Sequence, residues 1–118
     1  MTIVAIAALS CSVSIEGEWE YLYTEDYPDW EFEDKTTEEK GWSFLFNEDG
    51  TGFEVEDYLM KPIYWEIKGD KLYYDYKPLT VYDEEDALEI ESANSGNLKL
   101  RWYYDEDCYE EYTFRRVK

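Results

Sequence analysis

Carboxylates are the most abundant side chains in this sequence that could take part in catalysis or metal binding. Asp and Glu number 30 against 11 Lys and Arg, and the sequence contains no His. Two facing carboxylates can hydrolyse glycosides, and clustered carboxylates can bind Ca²⁺. With so many acids, close pairs arise by chance, and no stretch has the spacing of a calcium loop with its central Gly. The usual general base at neutral pH and the commonest metal ligand are both absent. We therefore expect no enzymatic activity, no metal site and no cofactor.

Two cysteines could also carry chemistry. Cys11 follows an apolar run at residues 3–9, and this segment resembles the end of a bacterial lipoprotein signal, in which small residues precede a Cys that becomes lipidated. The alternative is an edge strand with a buried thiol, although Ala-rich sequence is poor strand material. Cys108 either pairs with Cys11 in a disulfide or, if Cys11 is lipidated, remains a single thiol near a strand end. We expect residues 1–16 to be a signal and tether segment ahead of one domain at residues 17–118.

The composition limits the class of protein. A formal net charge of −19 repels nucleic acid and anionic lipid headgroups, so neither is expected as a partner. Five Trp, thirteen Tyr and five Phe argue against disorder, because disordered chains contain few aromatics. A chain of 118 residues can bury one core, and its aromatic and β-branched content favours sheet. We expect a single all-β domain.

Alternating apolar residues locate the strands that would position these groups. Alternate residues from Trp42 to Phe46 are aromatic, and the turn at residues 47–50 ends in Asp-Gly. This pattern predicts a β-hairpin, because the Gly supplies the positive φ that a tight reversal needs. On the returning strand, Phe53 and Val55 are predicted to continue the same apolar face.

Eight such strands follow one another along the chain, and an antiparallel up-and-down barrel is the closure that leaves no exposed edge. In a meander, alternate connections lie at opposite ends of the barrel. One end would receive short connections and the other the long acidic ones, giving a cup whose negative mouth could attract a cation. The predicted short connections are residues 46–51, 68–71 and 92–97, and the mouth connections are residues 24–41, 57–62, 77–86 and 105–108.

Aromatic side chains that point into the barrel are the strongest candidates for ligand binding. The interior of an eight-stranded barrel can be filled by side chains alone, so these rings could instead be core. Near the mouth, Tyr hydroxyls need polar partners and could form hydrogen bonds with a ligand. A binder should have an open cavity there, and a filled barrel should not. The predicted ligand-binding residues are Tyr23, Trp42, Tyr58, Tyr76 and Tyr104.

Several short motifs suggest a family. Gly17-Glu18-Trp19 matches the Gly-x-Trp of lipocalins, and from Gly17 onward the chain resembles the lipocalin-like, calycin-type domains of small Bacteroidetes lipoproteins. The resemblance implies an Arg of the last strand packed over the Trp of the first strand. Arg116 shares a face with Phe114, so Trp19 and Arg116 are predicted to close the barrel by stacking. The other matching segments are Trp42-Ser43-Phe44, Asp49-Gly50-Thr51-Gly52, Ile67-Lys68-Gly69-Asp70 and Tyr112-Thr113-Phe114-Arg115-Arg116.

These expectations combine into three functional hypotheses. The first is a non-enzymatic, monomeric binding module that holds a small apolar or aromatic ligand in the cup. It would be lipid-anchored in a bacterial cell envelope, at the outer membrane or the periplasmic face, and would touch the membrane only through its anchor. The alternative is an envelope interaction or structural domain with a filled barrel, acting through its acidic loops on a protein or glycan. A third is an inhibitor or accessory protein acting through the loop at residues 24–41.

Overall fold

A computed structural model describes residues 14–27 and 41–117. Eight antiparallel strands close into a barrel in chain order, which confirms the predicted all-β up-and-down barrel. Cys11 and the central part of the first mouth connection, residues 28–40, lie outside the described residues, so the predicted lipidation site is not placed. The strands are β1 Gly17–Tyr27, β2 Ser43–Phe46, β3 Thr51–Glu56, β4 Leu59–Lys68, β5 Lys71–Asp75, β6 Leu88–Ala93, β7 Asn97–Asp105 and β8 Cys108–Arg116.

The first and last strands join at the closed end of the barrel. Trp19 pairs with Arg116 across the β1–β8 ladder, and the guanidinium carbon of Arg116 lies 4.3 Å from the centroid of the Trp19 ring. The indole is fully buried and donates a hydrogen bond to the carbonyl of Ile15 at 2.8 Å. Arg116 donates to the carbonyls of Ser95 and Glu16 at 3.0 and 2.9 Å. The guanidinium therefore ties the segment before β1 and the β6–β7 turn to one aromatic face.

The β2–β3 hairpin turns through three residues. The amide of Asn47 donates to the carbonyl of Thr51 at 2.8 Å, and Gly50 adopts a φ of +88°. Asp49 accepts hydrogen bonds from both the amide and the hydroxyl of Thr51, at 3.0 and 2.6 Å. This is the type of three-residue loop in which a Gly in the left-handed region forms a bulge.

The register of this hairpin corrects the predicted face of β3. Phe44 pairs with Glu54, so the side chain of Glu54 shares the inner face with the β2 aromatics. Glu54 is buried, whereas Phe53 and Val55 are only half-buried and lie on the outer face. The prediction that Phe53 and Val55 face the core was therefore wrong, because the three-residue turn offsets the alternation by one position.

Gly52 allows this hairpin to close tightly. It pairs with Phe46, and a Cβ atom at this position would lie 2.0 Å from the carbonyl oxygen of Leu45. No side chain can occupy that space without displacing β2, so the strand needs glycine here.

Aromatic and aliphatic side chains fill the closed half of the barrel. Phe44 stacks on Phe46 at a centroid distance of 5.1 Å and lies 5.6 Å from Phe114. The indole of Trp65 donates to the carbonyls of Asn47 and Thr51, which fixes the β2–β3 turn to the core. The buried cluster comprises Ile15, Trp19, Tyr21, Phe44, Phe46, Ile63, Leu72, Leu88, Ile90, Leu98, Leu100 and Phe114.

A bulge in β1 changes which side chains face inward near the mouth. Tyr21 pairs with Phe114, but the next paired residue of β1 is Tyr23, opposite Thr113. Beyond the bulge Thr24 is buried, and its hydroxyl lies 2.6 Å from the hydroxyl of Tyr21. Tyr23 is therefore placed on the outer face, contrary to the predicted inward position.

One connection at the mouth is shorter than predicted. The β3–β4 connection is a two-residue turn at Asp57 and Tyr58, both with positive φ, and β4 already begins at Leu59. The predicted connection at residues 57–62 was therefore too long. The β5–β6 connection is long, and its Tyr82 packs on Tyr73 at 5.3 Å outside the barrel. In the part of the chain that the structure describes, no helix is long and apolar enough to cross a membrane.

Candidate functional site

The inner wall of β3 carries a buried carboxylate near the mouth. Glu54 is only 3% exposed. Its Oε2 atom accepts a hydrogen bond from the Trp42 indole at 2.9 Å and one from the Tyr74 hydroxyl at 3.2 Å. Its Oε1 atom accepts a hydrogen bond from the Tyr76 hydroxyl. The donors thus come from β5, from the residue that follows β5 and from the residue that precedes β2.

The three partners of Glu54 all act as donors. An indole N–H can only donate. Burial, the neighbouring Glu54 charge and its hydrogen bond raise the pKa of Tyr74 well above the ordinary value for tyrosine. Burial and the hydrogen bond to Glu54 also raise the pKa of Tyr76. Both phenols therefore keep their protons at neutral pH, and Glu54 is the acceptor in every contact.

A cavity of about 330 Å³ opens to solvent beside Glu54. Its size falls within the range of ordinary small-molecule sites. Most of its wall is aromatic, with two carboxylates and one aliphatic side chain completing it. The lining residues are Trp42, Glu54, Glu56, Tyr74, Tyr76, Leu88 and Tyr112.

One lysine lies at the rim of this cavity. Lys61 pairs with Glu54 in the β3–β4 register, and its ammonium lies 3.2 Å from a carboxylate oxygen of Glu56. The same ammonium lies 5.1 Å from the centroid of the Tyr76 ring. The hydrogen bond that Lys61 donates to Glu56, together with the charges of Glu54 and Glu56, raises the pKa of Lys61. Both partners of this ion pair are more than a third exposed, so solvent screens it.

The structure brings only some of the predicted binding residues to the cavity. Trp42 and Tyr76 line it. Tyr58 lies at the tip of the β3–β4 turn and is 95% exposed, and Tyr104 is half-exposed near the β7–β8 turn, 5.9 Å from the Trp102 ring. Tyr23 lies on the outer face beyond the β1 bulge. Ligand contacts by Tyr23, Tyr58 and Tyr104 remain predictions.

Sequence reasoning missed the polar part of the site. Glu54, Glu56 and Lys61 were not among the predicted binding residues. The signal was present in the hairpin, because a three-residue turn ending at Gly50 sets Glu54 opposite an inward aromatic. An acid at an inward position is uncommon enough to suggest a functional role.

Two other kinds of reactive group were considered from the sequence, a metal site and the Cys108 thiol. Among residues 14–27 and 41–117, no group of three or more His, Cys, Asp and Glu side chains is arranged to hold a metal ion. The thiol of Cys108 is half-buried at the start of β8.

No protein-family model, curated protein or solved structure matches the chain. The resemblance to lipocalin-like lipoprotein domains therefore stays a prediction.

Proposed function

We propose that this barrel is a non-enzymatic binding module that takes a small ligand into the cup at its mouth. The observation that carries the proposal is the open cavity of about 330 Å³ beside the buried Glu54. The closed half of the barrel is filled by side chains, so the cavity is a local feature of the mouth.

Aromatic walls with a few fixed polar groups are typical of small-molecule sites. Trp42 contacts Tyr112 edge to face at 5.3 Å, and Tyr74 contacts Phe44 at 5.2 Å, so these rings are held by the core. A wall that is already ordered loses little side-chain entropy when a ligand binds. Flat aromatic or apolar groups on the ligand would pack against it.

The proposed cellular context is a bacterial envelope, with the module tethered by a lipid on Cys11. The support is the apolar run at residues 3–9 and the small residues before this cysteine. Mass spectrometry of the full chain expressed in a bacterium should show a diacylglyceryl adduct on Cys11 and a membrane-bound protein. The Cys11→Ser variant should lack both, and an unmodified Cys11 in the parent protein would refute the anchor.

One observation favours the alternative, a domain that binds a macromolecule through its loops. The β3–β4 turn presents Tyr58, Leu59 and Met60 with 95, 66 and 64% exposure, next to the acidic Asp57. An exposed apolar tip of this kind is a common feature of protein-binding surfaces. Its replacement by polar residues would abolish partner binding under this alternative and leave binding in the cup intact.

A ligand-observed NMR screen of small aromatic and apolar compounds on the full chain tests the binding module. We expect hits whose affinity falls by about tenfold or more in Tyr76→Ala, because truncation removes one aromatic wall. Tyr82→Ala is the matched control, since this ring packs on Tyr73 outside the barrel, and its affinities should match the parent. The absence of hits, or equal losses in both variants, would overturn the proposal.

A further inference from the structure

We propose that the ligand of the cup is a small organic cation, an aromatic compound with a protonated primary amine that binds to Glu54. This inference rests on the proposed binding function and specifies its ligand class. It follows from the charge of Glu54, from the remaining acceptor capacity of its oxygens and from the rings around the cavity.

The first step concerns charge. Glu54 is almost fully buried, and its three hydrogen-bond partners are neutral. Within the described ranges, the ion pairs include none at Glu54. Neutral donors satisfy the oxygens but do not cancel the charge, and a buried charge without a counter-ion is costly. A cation that enters the cavity would supply a counter-charge in direct contact with Glu54.

The second step concerns hydrogen bonds. An ionised carboxylate has about four acceptor positions, and three are occupied here. Oε2 accepts two hydrogen bonds and Oε1 accepts one, so Oε1 has room for another donor. A primary ammonium carries three N–H donors, and a charge-assisted bond to a carboxylate is among the stronger hydrogen bonds. A quaternary ammonium has no N–H and could not use this position.

The third step concerns the rings. Trp42, Tyr74, Tyr76 and Tyr112 line the cavity, and aromatic faces attract cations. The chain itself illustrates this preference, because the ammonium of Lys61 lies 5.1 Å from the Tyr76 ring. Lys61 makes its ion pair with Glu56 at the rim and acts on Glu54 only at longer range, so a ligand ammonium could still bind Glu54 directly. The aromatic part of the ligand would pack on the same walls that its ammonium faces.

The fourth step concerns selectivity. Glu54 and Glu56 both line the cavity, and the whole chain carries a formal charge of −19. This field repels anions and raises the local concentration of cations. An amine should therefore be preferred over a neutral or acidic compound of the same shape.

Three probes of similar shape test the inference by isothermal titration calorimetry on the full chain at fixed ionic strength. They are 2-phenylethylamine, neutral 2-phenylethanol and anionic 3-phenylpropanoate. We expect the amine to bind at least about tenfold more tightly than the alcohol, the equivalent of about 1.4 kcal/mol, and the acid to bind most weakly. Equal or tighter binding of the alcohol or the acid would overturn the inference.

Two variants assign the preference to the proposed group. Glu54→Gln keeps the size of the side chain and removes its charge, so it should lose the amine preference while it still binds 2-phenylethanol. Glu48→Gln, in the exposed β2–β3 turn, makes the same charge change away from the cavity and should bind like the parent. Retention of the full amine preference in Glu54→Gln, or its loss in Glu48→Gln, would contradict the assignment.

A third variant tests the competition at the rim. Lys61→Met removes the ammonium at the rim and should tighten amine binding severalfold, because the cavity becomes more negative. Lys71→Met is the control, because Lys71 does not line the cavity. In the strand register it stands opposite Lys68 of β4 and Glu89 of β6. The two proposals fail separately: binding without an amine preference refutes the cation and leaves the binding module standing, whereas the compound screen decides the module itself.

Discussion

At the scale of single residues, Glu54 decides the character of the barrel mouth. A polar group in a small interior is tolerated only when its hydrogen bonds are satisfied. Trp42, Tyr74 and Tyr76 satisfy this carboxylate from three directions. The same residues line the cavity, so the contacts that make the acid tolerable also fix the walls of the site.

Removal of one hydroxyl should measure how much the cluster contributes to stability. Tyr74→Phe deletes a donor to Glu54 and leaves the ring, so we expect a loss of about 1 to 3 kcal/mol in the free energy of unfolding. Tyr73→Phe is the matched control, because this neighbour faces the other side of β5, where it packs on Tyr82. Urea unfolding of both variants checks the prediction, and equal losses would show that the contact with Glu54 contributes nothing.

The two phenols also predict a dependence on alkaline pH. The pKa values of Tyr74 and Tyr76 are raised in the folded protein by burial and by Glu54. The folded state therefore holds these protons more tightly than the unfolded state, in which tyrosine ionises near about pH 10. Their contribution to stability is complete below that pH and is lost as the pH rises above it.

Unfolding in urea between about pH 8 and pH 11 would measure this loss, since that window brackets the ordinary pKa of tyrosine. The parent protein should lose stability more steeply than the double variant Tyr74→Phe/Tyr76→Phe. Comparison of the two cancels the contribution of every other tyrosine and lysine. Parallel curves for the parent and the double variant would show that neither phenol is perturbed.

At the scale of strands and turns, the sequence predicted which segments pair but not every face. Period-two patterns located all eight strands, because each has alternating apolar residues between turn signals. The inward face of β3 was predicted wrongly, because its apolar residues Phe53 and Val55 lie outside the barrel while the polar Glu54 lies inside. The inward position of Tyr23 failed because the β1 bulge arises from pairing with distant β8, which leaves no local trace.

The hairpin that places Glu54 depends on glycine at position 52. We expect Gly52→Ala to destabilise the protein by more than about 2 kcal/mol, because its Cβ would lie 2.0 Å from the Leu45 carbonyl oxygen. Gly96→Ala is the control, since the nearest atom to its Cβ would be 3.8 Å away on the Asn94 side chain. Thermal unfolding followed by circular dichroism compares the two. A stable Gly52→Ala protein would show that β2 can move aside.

At the scale of the whole molecule, the net negative charge decides how stability should depend on salt. A formal net charge of −19 on one small barrel makes the compact state repel itself. Salt screens this repulsion, because the distance over which charges interact falls from about 30 Å at 0.01 M salt to about 3 Å at 1 M. The melting temperature should therefore rise as NaCl is added. A fall on addition of salt would mean that surface ion pairs outweigh the repulsion, and parallel measurements with KCl would exclude a specific ion effect.

The ladder between β1 and β8 also has a consequence for how the chain folds. Every other neighbouring pair consists of strands that are consecutive in the chain, whereas this ladder joins residues such as Glu20 and Arg115, which are 95 positions apart. Distant pairings form slowly, since the intervening chain must be ordered first. Until the two ends meet, both terminal strands keep open edges that can pair with another copy. Aggregation should therefore compete with refolding more strongly as the protein concentration rises. The folded barrel should not aggregate in this way, because its two terminal strands are paired with each other.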